Sequence, residues 1–292
     1  MQLVAAVVLV AGVAGAVWAA NRGESRSRGG TASAVDTGGD PEAERTLEAV
    51  QAATAQASSF RFSFQGVDTT MAYWDDGDRR FTGEGVWSPD RWRLVTRDQN
   101  DASETIVDGD TVYSRWPAPG ADLERAPWEQ WESWEDDPLP RDELLEEMSG
   151  MLAEVEAEEG KLDDGLVDQL AVALAAGLYL DGAVDRVDWV DLEVEVSHFP
   201  GDPSSFIRAI GRGGTPHMLG NEGGGTTLGV TLRAPDDVAA AFGRPIPDGQ
   251  MEVDVGADDL PVAVRLSVAG ARDSFEVEAL FRDWDAPVDI DM

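Results

Sequence analysis

Phe60-Arg61-Phe62-Ser63-Phe64-Gln65 opens the stretch, running on to Trp116, whose reading decides the fold. Apolar and polar residues alternate with a period of two, which puts three phenylalanines on one face of a strand and Arg61, Ser63 and Gln65 on the other. Phe81, Gly83, Gly85 and Trp87 lead into a turn at Ser88-Pro89-Asp90, and Trp92 and Leu94 alternate with Arg91 and Arg93 on the return. Thr105-Ile106-Val107 then turns at Asp108-Gly109-Asp110 into Thr111-Val112-Tyr113. An Asp-Gly pair between β-rich runs is a strong hairpin signal. The stretch therefore predicts an antiparallel meander with one apolar and one wet face.

Outward from the meander, Pro41-Glu42-Ala43-Glu44 predicts a helix start, since proline and acids suit the first turn. Leu47, Val50, Thr54 and Ala57 form its apolar stripe. On the other side, Trp128, Trp131 and Trp134 recur every three positions, which predicts a short helix laid on the sheet or a lid over an apolar ligand. Arg141–Glu159 predicts an amphipathic helix with Leu144, Met148, Met151, Leu152 and Val155 on one face. Leu166–Leu180 predicts a helix apolar nearly all round, which must be buried on most sides. At about fifteen residues with Asp168 and Gln169 in it, this helix is not read as membrane-spanning.

The chain returns to strand patterning at Val187–Phe199, then predicts a short helix after Asp202-Pro203. Glycine-dense Gly211–Gly225, which contains His217, reads as a loop. Strands follow at Leu228–Leu232, Met251–Val255, Val262–Val268, Ser274–Phe281 and Trp284–Ile290, with a short helix at Pro235–Phe242 among them. This order predicts an α+β fold with helices gathered against one antiparallel sheet. The pattern runs without a linker from Pro41 to Ile290, so residues 41–292 are expected to form one domain, with a helical insertion at about 119–185.

Leu3–Ala20 is uncharged and apolar, as in a signal peptide cleaved after Ala19 or an N-terminal membrane anchor. Residues 21–40 read as a flexible tether. An extracytoplasmic location follows as the expectation, with membrane contact only through the N-terminal segment. The 292 residues carry 57 acidic against 22 basic side chains, a net charge of −35. Arg22, Arg26 and Arg28 against Glu24 make the first thirty residues net +2, leaving −37 on the rest. A polyanion of this size is a poor partner for nucleic acid or an anionic bilayer surface.

The absence of cysteine excludes disulfides, thiolate catalysis, thiolate metal sites and a lipobox. Two histidines, His198 and His217, are a thin basis for zinc. Asp75-Asp76-Gly77-Asp78 and Asp108-Gly109-Asp110 lack the distal glutamate of a calcium loop and fall where turns are needed. There is no G-x-S-x-G, H-E-x-x-H or P-loop. No cofactor, no metal and no enzymatic activity are expected; no carboxylate pair for hydrolysis stands out from the acidic background.

Several segments resemble the LolA-like lipoprotein-carrier superfamily, and most closely its actinobacterial branch of LprG- and LppX-type lipid-binding lipoproteins. They are Ala57-Ser58-Ser59-Phe60, Gly83-Glu84-Gly85 before Ser88-Pro89-Asp90, and Ile106 to Tyr113 in the first half. In the second half they are Asp202-Pro203, Asp259-Leu260-Pro261-Val262-Ala263-Val264-Arg265 and Phe281 to Ile290. The resemblance implies a half-open antiparallel β-barrel, a strongly bent sheet closed by helices, whose cavity carries lipid acyl chains across an envelope. It brings no catalytic residues, and the chain departs from it in its missing lipobox cysteine, its acidic tryptophan-rich insertion and its charge.

Ten tryptophans and nine phenylalanines either fill the core or line a cavity between the layers. If a cavity exists, the lining expected from parity and helical stripes is Phe62, Phe64, Trp87, Trp92, Leu94, Met148, Leu152, Leu170 and Leu174. The expected ligand is lipid or another apolar molecule. The alternative is a non-carrier sensor or interaction module with a filled core and an envelope protein as its partner.

Overall fold

The computed structural model describes residues 40–69, 78–99, 101–109, 111–118, 121–132, 149–150, 164–180, 205–211, 214–220, 225–234 and 236–290. Helix α1 (Pro41–Gln56) opens with Asp40 as N-cap, its carboxylate accepting from the Glu42 backbone N–H at 2.9 Å. That satisfies one of the donors a helix start leaves open. Strands β1 (Phe60–Asp68), β2 (Arg79–Ser88), β3 (Arg91–Arg97), β4 (Ala102–Asp108), β5 (Thr111–Arg115) and β6 (Glu129–Glu132) follow as a meander. Next come helix α2 (Asp164–Leu180), helix α3 (Ser205–Gly211), β7 (Thr215–Gly220), β8 (Thr226–Leu232) and helix α4 (Asp236–Phe242). Strands β9 (Gly249–Val255), β10 (Pro261–Ala269) and β11 (Ser274–Arg282) complete the order.

All eleven described strands join one antiparallel sheet in the order β6-β5-β4-β3-β2-β1-β11-β10-β9-β8-β7. Two meanders are thus stitched at the middle by β1 against β11. The sheet does not close, because β6 and β7 end the order without pairing to each other. Helix α1 packs on β7 and β8, α2 on β9, β10 and β11, and α3 joins the two helices. The expected α+β class, with helices on one face of an open antiparallel sheet, is what the chain forms.

The face toward the helices, here the inner face, takes the apolar parity. Phe60, Phe62 and Phe64 of β1 share one core with Trp92, Leu94, Val107 and Val112 of β3–β5 and with the aliphatic rows of β8–β11. Helix α2 is buried on nearly every side, through Val167, Leu170, Ala171, Val172, Leu174 and Ala175 among others. This agrees with a sequence that has almost no polar side to offer water.

Three expectations need correction. The Trp128–Trp131 spacing does not make a helix: Glu129–Glu132 is a strand, with Trp131 paired to Val112. Within glycine-rich 211–225, Thr215–Gly220 pairs with β8 instead of looping, and His217 sits in that strand opposite Gly229. Finally, Trp284–Ile290 is not a strand, because Asp283 and Asp285 take left-handed backbone angles (φ 54° and 56°) that turn the chain out of β11. The segments read as a helix at 141–159, a strand at 187–199 and an N-terminal apolar run and tether lie outside the described residues, apart from 149–150 and Asp40.

Candidate functional site: the inner apolar face

Phe60 is 1% exposed and is the hub of the aromatic part of this face. Its ring stacks on Trp87 at 4.9 Å and lies 4.9 Å from Trp284, with Phe281 edge-on at 5.6 Å and Phe62 at 6.0 Å. Phe64 continues the row to Phe62, Phe81 and Phe206, the last belonging to α3. Each ring pair of this kind adds about 0.5–1.5 kcal/mol beyond the area it buries.

The glycines of the meander explain how large rings lie flat on a sheet. A Cβ on Gly83 would stand 2.2 Å from Phe64 Cζ, and one on Gly85 would stand 2.8 Å from Phe62 Cζ and 2.1 Å from the Arg93 carbonyl oxygen. Gly83 is directly opposite Phe64, and Gly85 opposite Phe62, across the β1–β2 ladder. The rings therefore occupy the space that side chains on β2 would have taken.

Of the nine residues expected to line a cavity, Phe62, Phe64, Trp92, Leu94, Leu170 and Leu174 are buried in this one core, and Trp87 is half-buried at its margin. Met148 and Leu152 lie outside the described residues. Sequence reading missed Phe81, Phe206, Phe275, Phe281 and Trp284 as partners of the row. Their parity was legible in part, but adjacency comes from the β1–β11 register, which joins Phe62 to Phe281 across the length of the chain.

Register also shows where the inner face stops being apolar. The row Phe60, Trp87, Trp92, Val107, Val112 is apolar throughout. One step along, the row Phe62, Gly85, Leu94 passes into Thr105 and Ser114; the next, Phe64 and Gly83, passes into Thr96 and Ser103. Thr96 and Ser103 share a 2.6 Å hydrogen bond in which either hydroxyl can be the donor. Ser114 is 4% exposed.

Helix α2 is held at both ends. The Asp168 carboxylate accepts from the backbone N–H groups of Ala271 (3.1 Å) and Arg272 (3.0 Å) in the β10–β11 turn. At the other end the buried Tyr179 hydroxyl donates to the Pro247 carbonyl at 2.8 Å, with its ring over Gly249. Burial, seconded by Asp248, pushes the Tyr179 phenol up to about 12, so it remains a neutral donor.

The outer face is organised by charge. Glu104, 2% exposed, accepts from Arg93 Nε at 2.5 Å and Arg115 Nε at 2.6 Å, and the Arg115 guanidinium covers the Trp128 ring at 4.6 Å. Beside it Val86, Ile106 and Ile290 form a small outer core with Tyr113, Trp128 and Val288. The turn after β11 is tied down by Asp285, whose carboxylate accepts from both the backbone N–H (2.6 Å) and hydroxyl (2.9 Å) of Ser58. Those bonds lower the Asp285 carboxyl below its ordinary value.

Among the described residues, no group of three or more His, Asp or Glu side chains is placed to hold a metal ion, and no helix is long and apolar enough to cross a membrane. No protein-family model matches the chain, and no curated protein is similar to it. Solved structures do resemble it. The lipoprotein LppX of Mycobacterium tuberculosis is 11% identical, with a TM-score of 0.41 over 86% of this chain and 100% of that one. LprF from Mycobacterium bovis is 14% identical, with a TM-score of 0.42 over 87% of this chain and 98% of that one.

Proposed function

We infer that this is an extracytoplasmic binding protein that holds an apolar ligand, a lipid or acyl chain, between the inner face of the sheet and the helices. One observation carries the reading. The apolar face continues from β11 through β5, whereas the described helices pack chiefly on β7–β11. Trp92, Leu94, Val107 and Val112 carry that face out to β5 and are buried in the same core as the helices, and an extended apolar layer between sheet and helices is the kind of place where an apolar ligand is held. Phe62, Phe64, Trp87, Trp92, Leu94, Leu170 and Leu174, with Met148 and Leu152, are the proposed lining. Binding and release would need no catalytic group, cofactor or metal. The N-terminal apolar segment would deliver the domain across the membrane or hold it there.

Native mass spectrometry of the protein purified from its own host tests this directly. Co-purifying lipid that is lost on delipidation and regained on incubation with fatty acid is the expected result. A bare mass together with no uptake of a fluorescent fatty acid would reject it. The dense ring packing around Phe60 favours a second reading, a protein-interaction module with a filled core. That reading predicts the bare mass and a partner captured by cross-linking in the envelope.

A further inference from the structure

We propose that the junction of α2 with the β10–β11 turn is a proton-operated clasp, tight while the Asp273 carboxyl carries its proton and looser at the start of α2 once it ionises. The helix sits on residues 270–273 without a spacer. A Cβ on Gly270 would stand 2.7 Å from Val172 Cγ2 and 2.8 Å from Asp168 Oδ2. Asp168 accepts from the turn's Ala271 and Arg272 N–H groups, and the Gly270 N–H closes the turn on the Asp273 carbonyl at 2.8 Å. The next residue is fixed from the other side. The Ser274 N–H donates to Thr69 Oγ1 at 2.7 Å, and the Ser274 carbonyl accepts from the Thr69 N–H at 2.9 Å. Asp273 is thereby held where the first turns of α2 meet the end of β1.

Two features set the protonation state the junction favours. Gln169 Oε1 is buried with no donor among the described residues, while the same side chain is hydrogen-bonded to Asp273. An ionised carboxylate only accepts, so it serves the Gln169 N–H and leaves Oε1 bare. A protonated carboxyl adds an O–H donor, and acid and amide can then pair through two parallel hydrogen bonds. The second feature is charge. Asp273 faces Asp168 from α2, Asp68 from the end of β1 and Arg272 from its own turn. Arg79, across the ladder from Asp68, is engaged by Asp98 at 2.9 Å. Burial, then Asp168 and Asp68, raise the Asp273 carboxyl above its ordinary 3.8, against Gln169 and Arg272. Its contribution is therefore present below 3.8 and lost as pH rises through the raised value. Tyr179 still fastens the far end of α2 to the Pro247 carbonyl, so the loosening is confined to the first turns over β10 and β11. The clasp works the same way whatever the inner face holds.

Amide hydrogen exchange on the full chain, corrected for the pH dependence of intrinsic exchange, tests the clasp. Between about pH 4 and neutral pH, protection of amides 168–172 should fall about fivefold, the equilibrium worth of one net hydrogen bond, while amides 175–180 keep theirs. Asp273→Asn gives Gln169 Oε1 a donor without adding charge, so it should hold the acid-state protection at both pH values. Gln169→Leu removes the bare acceptor and should about halve the pH-dependent difference, which carries the test if Asp273→Asn folds poorly. No local fall in wild type, a fall as large in Asp273→Asn, an unchanged difference in Gln169→Leu, or an equal fall in both groups of amides would overturn the clasp.

Discussion

Strands β1–β5 bury their inner face with Phe60, Phe62, Phe64, Trp92 and Leu94, whereas β8–β11 bury theirs chiefly with Val230, Leu232, Met251, Val253, Val264 and Leu266. The aliphatic wing is met by helices, whose ridges need an even surface to pack on. The aromatic wing lays its rings into glycine-sized hollows on the neighbouring strand. Their outer faces differ too. Glu104 on the first wing is sealed between two arginines, while Arg265 on the second, 42% exposed, shares Asp254 (2.9 Å) and Glu278 (2.7 Å) in the open. One sheet thus solves the same burial problem by local fit on one side and by helical cover on the other.

The charge contrast is the sharpest to break. Glu104→Ala leaves two arginines without their buried acceptor and should cost about 3 kcal/mol by urea unfolding. Arg265→Ala removes a solvent-screened network and should cost less than about 1 kcal/mol. Equal losses would show that burial does not separate the two networks.

A second pair concerns the glycines. Gly85→Ala drives a Cβ into a backbone carbonyl, which no side-chain rotation relieves, and should cost about 2–3 kcal/mol. Gly249→Ala instead meets the Tyr179 ring at 2.6 Å. It should cost about 1–2 kcal/mol, with faster amide exchange confined to the C-terminal end of α2. Global loosening by Gly249→Ala would contradict the idea that the helical cover is locally pinned.

The smallest effects are titrations at opposite ends of β11. The Asp285 carboxyl is lowered from 3.8 by its Ser58 bonds. Its contribution is therefore present above that value and lost as pH falls through the lowered one, and Asp285→Asn should flatten the acid limb of a stability–pH curve. Asp273 is raised, chiefly by burial and further by Asp168 and Asp68, against opposing interactions with Gln169 and Arg272. Its contribution is present below 3.8 and lost as pH rises through the raised value, so Asp273→Asn should slightly raise the urea midpoint at neutral pH. A lowered midpoint would reverse the sign assigned to this carboxylate.

The meander was legible because Phe60, Phe62 and Phe64 alternate cleanly and Asp108-Gly109 supplies the residue, at φ 58°, that its hairpin requires. Helix α2 was legible from its nearly unbroken apolarity. The misread segments share a cause: their structure depends on neighbours that sequence does not display. Thr215–Gly220 becomes an edge strand because β8 offers a ladder to it. Val288 and Ile290 alternate like a strand, yet they alternate because they cover Val86 and Ile106 from outside the sheet. For the site, parity assigned the faces of Phe62, Phe64, Trp92 and Leu94. The change to hydroxyls at Thr96, Ser103, Thr105 and Ser114 stayed hidden because these residues come from three strands and become neighbours only through register.

The pairing of β1 with β11 has a consequence for how such a chain is made. Strands β2–β6 can each add to the strand before them as the polypeptide emerges, but the other edge of β1 waits for β11, which follows every other described strand. Until then the aromatic wing carries an open, unpaired edge at the position that will become the middle of the sheet, and non-local pairing of this kind is slow. Translation of β11 is therefore the event that joins two half-sheets. A nascent or truncated chain that stops short of Ser274 would lose the centre of the molecule and not its end.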